Sequence, residues 1–215
     1  MKIGKVDTFI VKLPYSTGGR GNIGNMDWST LDYVLIRIET EDGMVGWGDA
    51  FGYGGIARAV KAMVDHRIAP SLIGKDASAI AQLSHFLQQG NHLLGRYGVT
   101  MFAISGIDIA LWDLAGKAAS VPISTLLGGA RRAEIPAYAS LFNYTDPDQV
   151  AEHCQRAMGE GFKSVKLHET TEPAVRAARL AMGDGVPLMV DTNCPWTPWQ
   201  AKEAALSFKP YDLHW

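Results

Sequence analysis

The sequence predicts an α+β domain followed by a (β/α) TIM-type barrel, of which about the first three βα units are present. Three observations predict this. Residues 1–130 read as an antiparallel meander and then helices. From Glu134 the rhythm becomes strand, helix, strand, helix, with strands starting near 135, 163, 187 and 213, at intervals of 28, 24 and 26 residues. A βα barrel averages about 31 residues per unit. The second and third of these strands also break from apolar to ionisable residues at their C-terminal ends, where α/β sites are built.

The elements follow in order. Ile3 to Pro14 is rich in β-formers, and Pro14 stops it. Four glycines between Tyr15 and Asn25 mark a loop. Tyr33–Ile38 is a strand, Glu41-Asp42-Gly43 a tight turn, and Met44–Gly48 the hairpin partner. Apolar spacing near 3.6 predicts a helix over 56–68, ended by Pro70, and a second over 77–89 capped by Asp76. Residues 99–119 form the longest periodic run, closed by Val121-Pro122. In the second part, strands are expected at 136–140, 163–168, 187–191 and from 213. Helices are expected at 147–158 with Asp146 as cap, at 172–182 and at 197–208.

Composition bounds the function. Twenty basic and 22 acidic residues leave a net charge of −2, which gives no basic field for nucleic acid or an anionic membrane. Cys154 and Cys194 form neither a disulfide framework nor a metal spacing. The N-terminus has no apolar signal core, and no apolar run approaches the roughly 20 residues a bilayer span needs. A cytoplasmic chain with reduced thiols is expected.

Chemistry concentrates at two strand ends. Lys166 and His168 are two apart, so on a strand they share one side; Asp191 and Asn193 do the same on the next strand. A Lys and a His facing a carboxylate suggest proton transfer beside a metal.

The stretch from Ala103 to Lys117, with Ile107-Asp108 and Ala110-Leu111-Trp112-Asp113, runs into Val121-Pro122 and Leu126-Leu127-Gly128-Gly129. It resembles the mandelate racemase and muconate-lactonizing branch of the enolase superfamily. Asp42-Gly43 with Val45-Gly46-Trp47-Gly48 resembles that family's hairpin, with Asp49 in place of the usual Glu. The resemblance covers essentially the whole chain. It makes residues 1–130 a capping domain, with the specificity loop at 15–25, and residues 131–215 the beginning of the barrel.

The resemblance implies Mg²⁺-dependent abstraction of a proton α to a carboxylate through an enediolate, a chemistry for which this superfamily is a standard example. Acid-sugar dehydration is the first expectation; racemisation, epimerisation or cycloisomerisation of another carboxylate is the alternative. Lys166 and His168 take the family's K-x-K position as a K-x-H variant, either of them the base. Asp191 matches the first of three metal carboxylates. Asn193 either binds near the metal or caps the next turn. Tyr15 and Arg20 on the loop, and Ser140 at the first barrel strand, are expected substrate contacts. The family's fourth strand continues into a further carboxylate, whereas this chain stops at Trp215. A fragment, inactive alone, is therefore a further expectation. Unpaired sheet edges predict self-association into a homo-oligomer.

Overall fold

A computed structural model of the chain describes residues 1–18, 28–129 and 131–215. Arg20 and most of the 15–25 loop lie outside the described residues. The chain divides into two compact units: Met1–Tyr15 with Thr30–Ala133, and Ser16–Ser29 with Glu134–Trp215.

In the first unit β1 (Ile3–Pro14), β2 (Thr30–Thr40) and β3 (Val45–Phe51) form an antiparallel sheet in that order. The turn at Glu41–Gly43 has Gly43 at φ +85°, a conformation glycine adopts without steric cost. Helices α1 (Ala57–Met63), α2 (Ala69–Leu72), α3 (Ile80–Gly90), α4 (Val99–Ala119) and α5 (Ile123–Leu126) follow.

Two sequence expectations about helix ends are corrected. Pro70 does not end the first helix. A π-helical turn, Val64–Ile68, links α1 to α2, with the Ala69 amide donating to the Val64 carbonyl. Pro70 then falls in the first turn of α2, where a missing N–H costs little. Asp76 does not cap α3. Its carboxylate accepts from the Ser78 amide (3.0 Å) and hydroxyl (2.8 Å), forming a local turn, and Ala79 occupies the cap position.

Helix α4 organises this unit. By length and composition it is also apolar enough to span a membrane, against the sequence expectation that no apolar run approaches that length. Its apolar residues are used internally: Ala103, Ile104, Ile107, Ala110, Leu111 and Leu114 are buried in the core with Val34, Ile36 and Ile38. Burial of each Val, Leu or Ile among these contributes about 1.5–3 kcal/mol. The helix lies so close to β3 that a Cβ on Gly48 would meet the Gly106 carbonyl at 2.1 Å, and one on Gly46 the Ala110 carbonyl at 2.3 Å. Asp113 accepts the Trp47 amide (2.8 Å), and Lys117 donates to the Val45 carbonyl (2.9 Å) and to Asp113 (2.6 Å). The Gly-Trp-Gly and Trp-Asp…Gly-Lys motifs thus weld an edge strand to the central helix.

The second unit alternates β4 (Ala139–Ser140), α6 (Pro147–Gly159), β5 (Val165–Leu167), α7 (Glu172–Met182), β6 (Leu188–Val190) and α8 (Pro198–Phe208). The strands are parallel, in the order β4-β5-β6. They are shorter than the apolar runs suggest, because only two or three residues of each enter the ladder. The segment expected as a fourth strand is not one by its own pairing, yet His214 donates to the Leu188 carbonyl (2.8 Å) and Val190 to the Trp215 carbonyl (3.0 Å). Val165, Leu167 and Leu188 are buried with Val150, Cys154, Val175 and Ala178 of α6 and α7. Asp146 caps α6, and Thr197 with Gln200 forms a capping box on α8.

Candidate active site

Strand alternation sets the site. On β5, Val165 and Leu167 enter the helix-covered core, so Lys166 and His168 take the other side. Ser140 pairs with Lys166 in parallel register, and Lys166 with Met189. Asp191 follows β6 directly, its amide bound to the Leu167 carbonyl at 2.9 Å.

Three of the expected residues come together. Lys166 Nζ lies 3.1 Å from Asp191 Oδ2, and His168 Nε2 lies 3.8 Å from the same oxygen. His168 is buried, the Lys166 side chain is 12% exposed and the Asp191 carboxylate 38% exposed, so the cluster opens to solvent at its acid. Asp191 is held below the usual carboxylate range, first by the Asn193 amide and then by Lys166 and His168, against some cost of burial. It is therefore ionised at neutral pH.

His168 Nδ1 lies 2.6 Å from the Leu141 carbonyl. A carbonyl can only accept, so Nδ1 carries the proton, and in the neutral ring Nε2 presents its lone pair toward Asp191. The Lys166 ammonium also sits 5.8 Å from the centre of the Tyr138 ring, near the limit of a cation–π contact.

The remaining expected residues differ. Asn193 reaches the cluster through its backbone: its amide donates to Asp191 Oδ1 at 3.1 Å, with φ at +55°. The cap of the next helix, α8, is Thr197. Ser140 is exposed beside Lys166. Tyr15 belongs to the first unit, one residue beyond β1.

The sequence reading missed the shell behind His168. Glu169, 1% exposed, accepts the amides of Tyr144 (2.6 Å) and Thr145 (3.2 Å), and Asn143 donates to the His168 carbonyl (2.8 Å). The available signal was an acid directly after Lys-x-His, which alternation turns away from the His168 side into the core.

Asp191 suits Mg²⁺ in kind, being a hard, ionised oxygen, but not in number. Among the described residues no group of three or more His, Cys, Asp or Glu is placed to hold a metal. These residues therefore do not by themselves complete a metal site.

The mandelate racemase / muconate lactonizing enzyme N-terminal domain profile matches residues 20–128, and the enolase C-terminal domain-like profile matches residues 149–215. A 3,6-anhydro-α-L-galactonate cycloisomerase from Streptomyces coelicolor is 33% identical over 98% of this chain and 59% of its own. An arabinonate dehydratase from Saccharolobus solfataricus is 32% identical over 80% of this chain and 48% of its own. A racemase structure from Streptomyces coelicolor, solved with bound magnesium, superposes with a TM-score of 0.86 at 33% identity, covering 99% of this chain and 61% of that one. The chain thus spans about half to three fifths of the length of these relatives.

Proposed function

Because the chain belongs to the mandelate racemase / muconate lactonizing enzyme family of the enolase superfamily, we propose that it carries the base side of a site that removes the proton α to a carboxylate, and that the substrate is an acid sugar undergoing dehydration. The observation that carries this is the convergence of Lys166 and His168 on Asp191.

His168 is the base. Its Nδ1 is committed to the Leu141 carbonyl, so Nε2 is the nitrogen that takes the proton. Lys166, ion-paired to Asp191, contributes positive charge that draws a substrate carboxylate and offsets the charge left on it when the proton departs. The displaced electron pair then breaks the bond to the hydroxyl on the next carbon, which takes up a proton, either the one now on His168 Nε2 or one from solvent, and leaves as water. Asp191 is assigned as one ligand of a Mg²⁺ ion, a choice supported by the magnesium-bound racemase neighbour. Because the ligand set on these residues is incomplete, no proton or electron step is assigned to the metal, and the 215-residue chain alone is expected not to turn over. Asn193, Ser140, Tyr15 and Arg20 remain the proposed substrate contacts, and self-association into a homo-oligomer belongs to the same reading.

The names of the dehydratase and the cycloisomerase support the acid-sugar class. Isomerisation is the second reading, favoured by the cycloisomerase and the racemase at 33% identity. There the proton returns, or an internal oxygen leaves, in place of a hydroxyl.

The test is solvent-deuterium exchange of the α-proton across a panel of acid sugars with Mg²⁺, in a polypeptide of the relatives' full length and its His168→Asn form. Exchange that depends on His168, with release of water, supports dehydration; exchange without water loss supports the second reading. Exchange undiminished in His168→Asn overturns the role given to His168. Turnover by residues 1–215 alone overturns the incomplete ligand set.

A further inference from the structure

We propose that Glu169 is a positioning residue: by gripping the loop after β4 it fixes which ring nitrogen of His168 carries the proton. The inference rests, for its consequence, on the reading of His168 as the base; its physical content is separate and separately measured.

Glu169 is among the most deeply buried charged side chains of the second unit, at 1% exposure. Burying a carboxylate without a counter-charge is expensive, and no Lys or Arg pairs with it among the described residues. Its compensation is the loop: Oε1 accepts the Tyr144 amide at 2.6 Å, and both oxygens lie within 3.3 Å of the Thr145 amide. Burial still pushes its carboxyl up, the two amides opposing. Two successive amides can aim at one carboxylate because Thr145 sits at φ +66°. Non-glycine residues persist there only where their surroundings over-determine the backbone.

The same loop closes on His168 from the other side. The Thr145 hydroxyl donates to Asn143 Oδ1 (2.8 Å), Asn143 Nδ2 donates to the His168 carbonyl (2.8 Å), and the Leu141 carbonyl accepts from His168 Nδ1 (2.6 Å). Residues 168 and 169 thus bind the loop 141–145 with opposite faces of one strand end. Without Glu169 the turn loses the acceptor that holds its left-handed residue, and the Leu141 carbonyl loses its fixed place. The His168 ring is then free to protonate at Nε2, the nitrogen that must stay bare to accept a proton.

The experiment is ring ¹⁵N NMR of histidine-labelled 215-residue chain at pH 8, above the ordinary imidazole range, with the His168 signals identified by their loss in His168→Asn. The wild type is expected as the Nδ1–H tautomer. Glu169→Gln, which keeps a carbonyl for both amides, should retain it. Glu169→Ala should lower the Nδ1–H to Nε2–H ratio by about fivefold or more, the equivalent of one net hydrogen bond. Asn143→Ala should move the ratio the same way with the acid in place, and it decides the matter should Glu169→Ala fail to fold. An unchanged ratio in folded Glu169→Ala, or in Asn143→Ala when the other cannot be read, overturns the proposal. Failure of the base assignment shows differently: tautomer control intact, with α-proton exchange surviving His168→Asn.

Discussion

Lys166 on β5 reaches across the parallel ladder to Asp191 at the end of β6, Nζ to Oδ2 at 3.1 Å, so the two strand ends are tied by charge as well as by backbone. The acid is more than a third exposed, so the pair is screened and adds under about 1 kcal/mol to stability. Its weight falls on the chemistry. Lys166→Met should leave the thermal midpoint within a few degrees of wild type. It should cut α-proton exchange in the full-length polypeptide by about 10²-fold or more, the scale of losing one preorganised electrostatic contact. Calorimetry beside the exchange assay checks both halves. A large fall in the midpoint with exchange preserved would show the pair to be structural.

A different pH response comes from His153. It is buried against Tyr144, ring centroids 4.1 Å apart and planes 18° apart, with Nδ1 lacking a partner among the described residues. Burial first, then the nearby Arg156 charge, lower its pKa from the ordinary 6.5, while Glu152 opposes. The folded state therefore binds the proton less readily than the unfolded chain. Stability is fully present above pH 6.5 and declines as pH falls below it. His153→Phe keeps an aromatic partner for Tyr144 and removes the titration. Urea unfolding at pH 8 and pH 5 should show a loss on acidification in wild type that is clearly smaller in the variant. Equal losses in both would place the acid sensitivity elsewhere.

Gly48 tests the packing of the first unit. A Cβ there would lie 2.1 Å from the Gly106 carbonyl and 2.7 Å from the Ala110 amide, both backbone atoms of α4 that cannot swing aside. Gly48→Ala must push the edge strand off the helix, at a cost of about 3 kcal/mol or more. Gly43→Asn is the control: its turn has φ +85° with open space around it, and Asn tolerates that region. Denaturation midpoints should separate the two widely. A Gly48→Ala chain as stable as wild type would mean that α4 is not held against β3 as described.

Much of this arrangement was legible because it is written in period and punctuation. The 99–119 and 172–182 helices and the Ile3–Pro14 strand fall where apolar spacing and Pro place them. Two-residue alternation was enough to put Lys166 and His168 on one side of their strand, and the parallel ladder brings them to Asp191. Pro70 and Asp76 were misread because a π turn and a local Asx turn depend on backbone register, which composition does not encode. Glu169 and Asn143 carried no readable role because their partners are backbone groups 25 residues away, a juxtaposition that only the parallel ladder creates. Likewise the motif residues Trp47, Asp113 and Lys117 signal a family by name but act as joinery.

Arg179 was invisible for the same reason, and it braces the segments on either side of β6 and α8. Only 8% exposed, it donates to four backbone carbonyls: Tyr211 (2.9 Å), Gly183 (3.0 Å), Val186 (2.9 Å) and Asp212 (3.0 Å). These carbonyls flank both ends of the β6–α8 unit, so one guanidinium gathers the turn entering β6 and the segment leaving α8. Arg179→Met fills similar volume but strands several acceptors away from water. The expected loss is about 3 kcal/mol, since buried groups left without partners cost more than a made bond returns. Arg179→Lys can reach fewer of the four at once and should fall between. Thermal unfolding of the three chains gives the order wild type, Lys, Met. Hydrogen exchange should open first at the Asp191 and Val190 amides, whose acceptors are the Leu167 and Trp215 carbonyls. A Met variant matching wild type in both measurements would show that the guanidinium is replaceable there by an apolar side chain, and that β6 keeps its register without it.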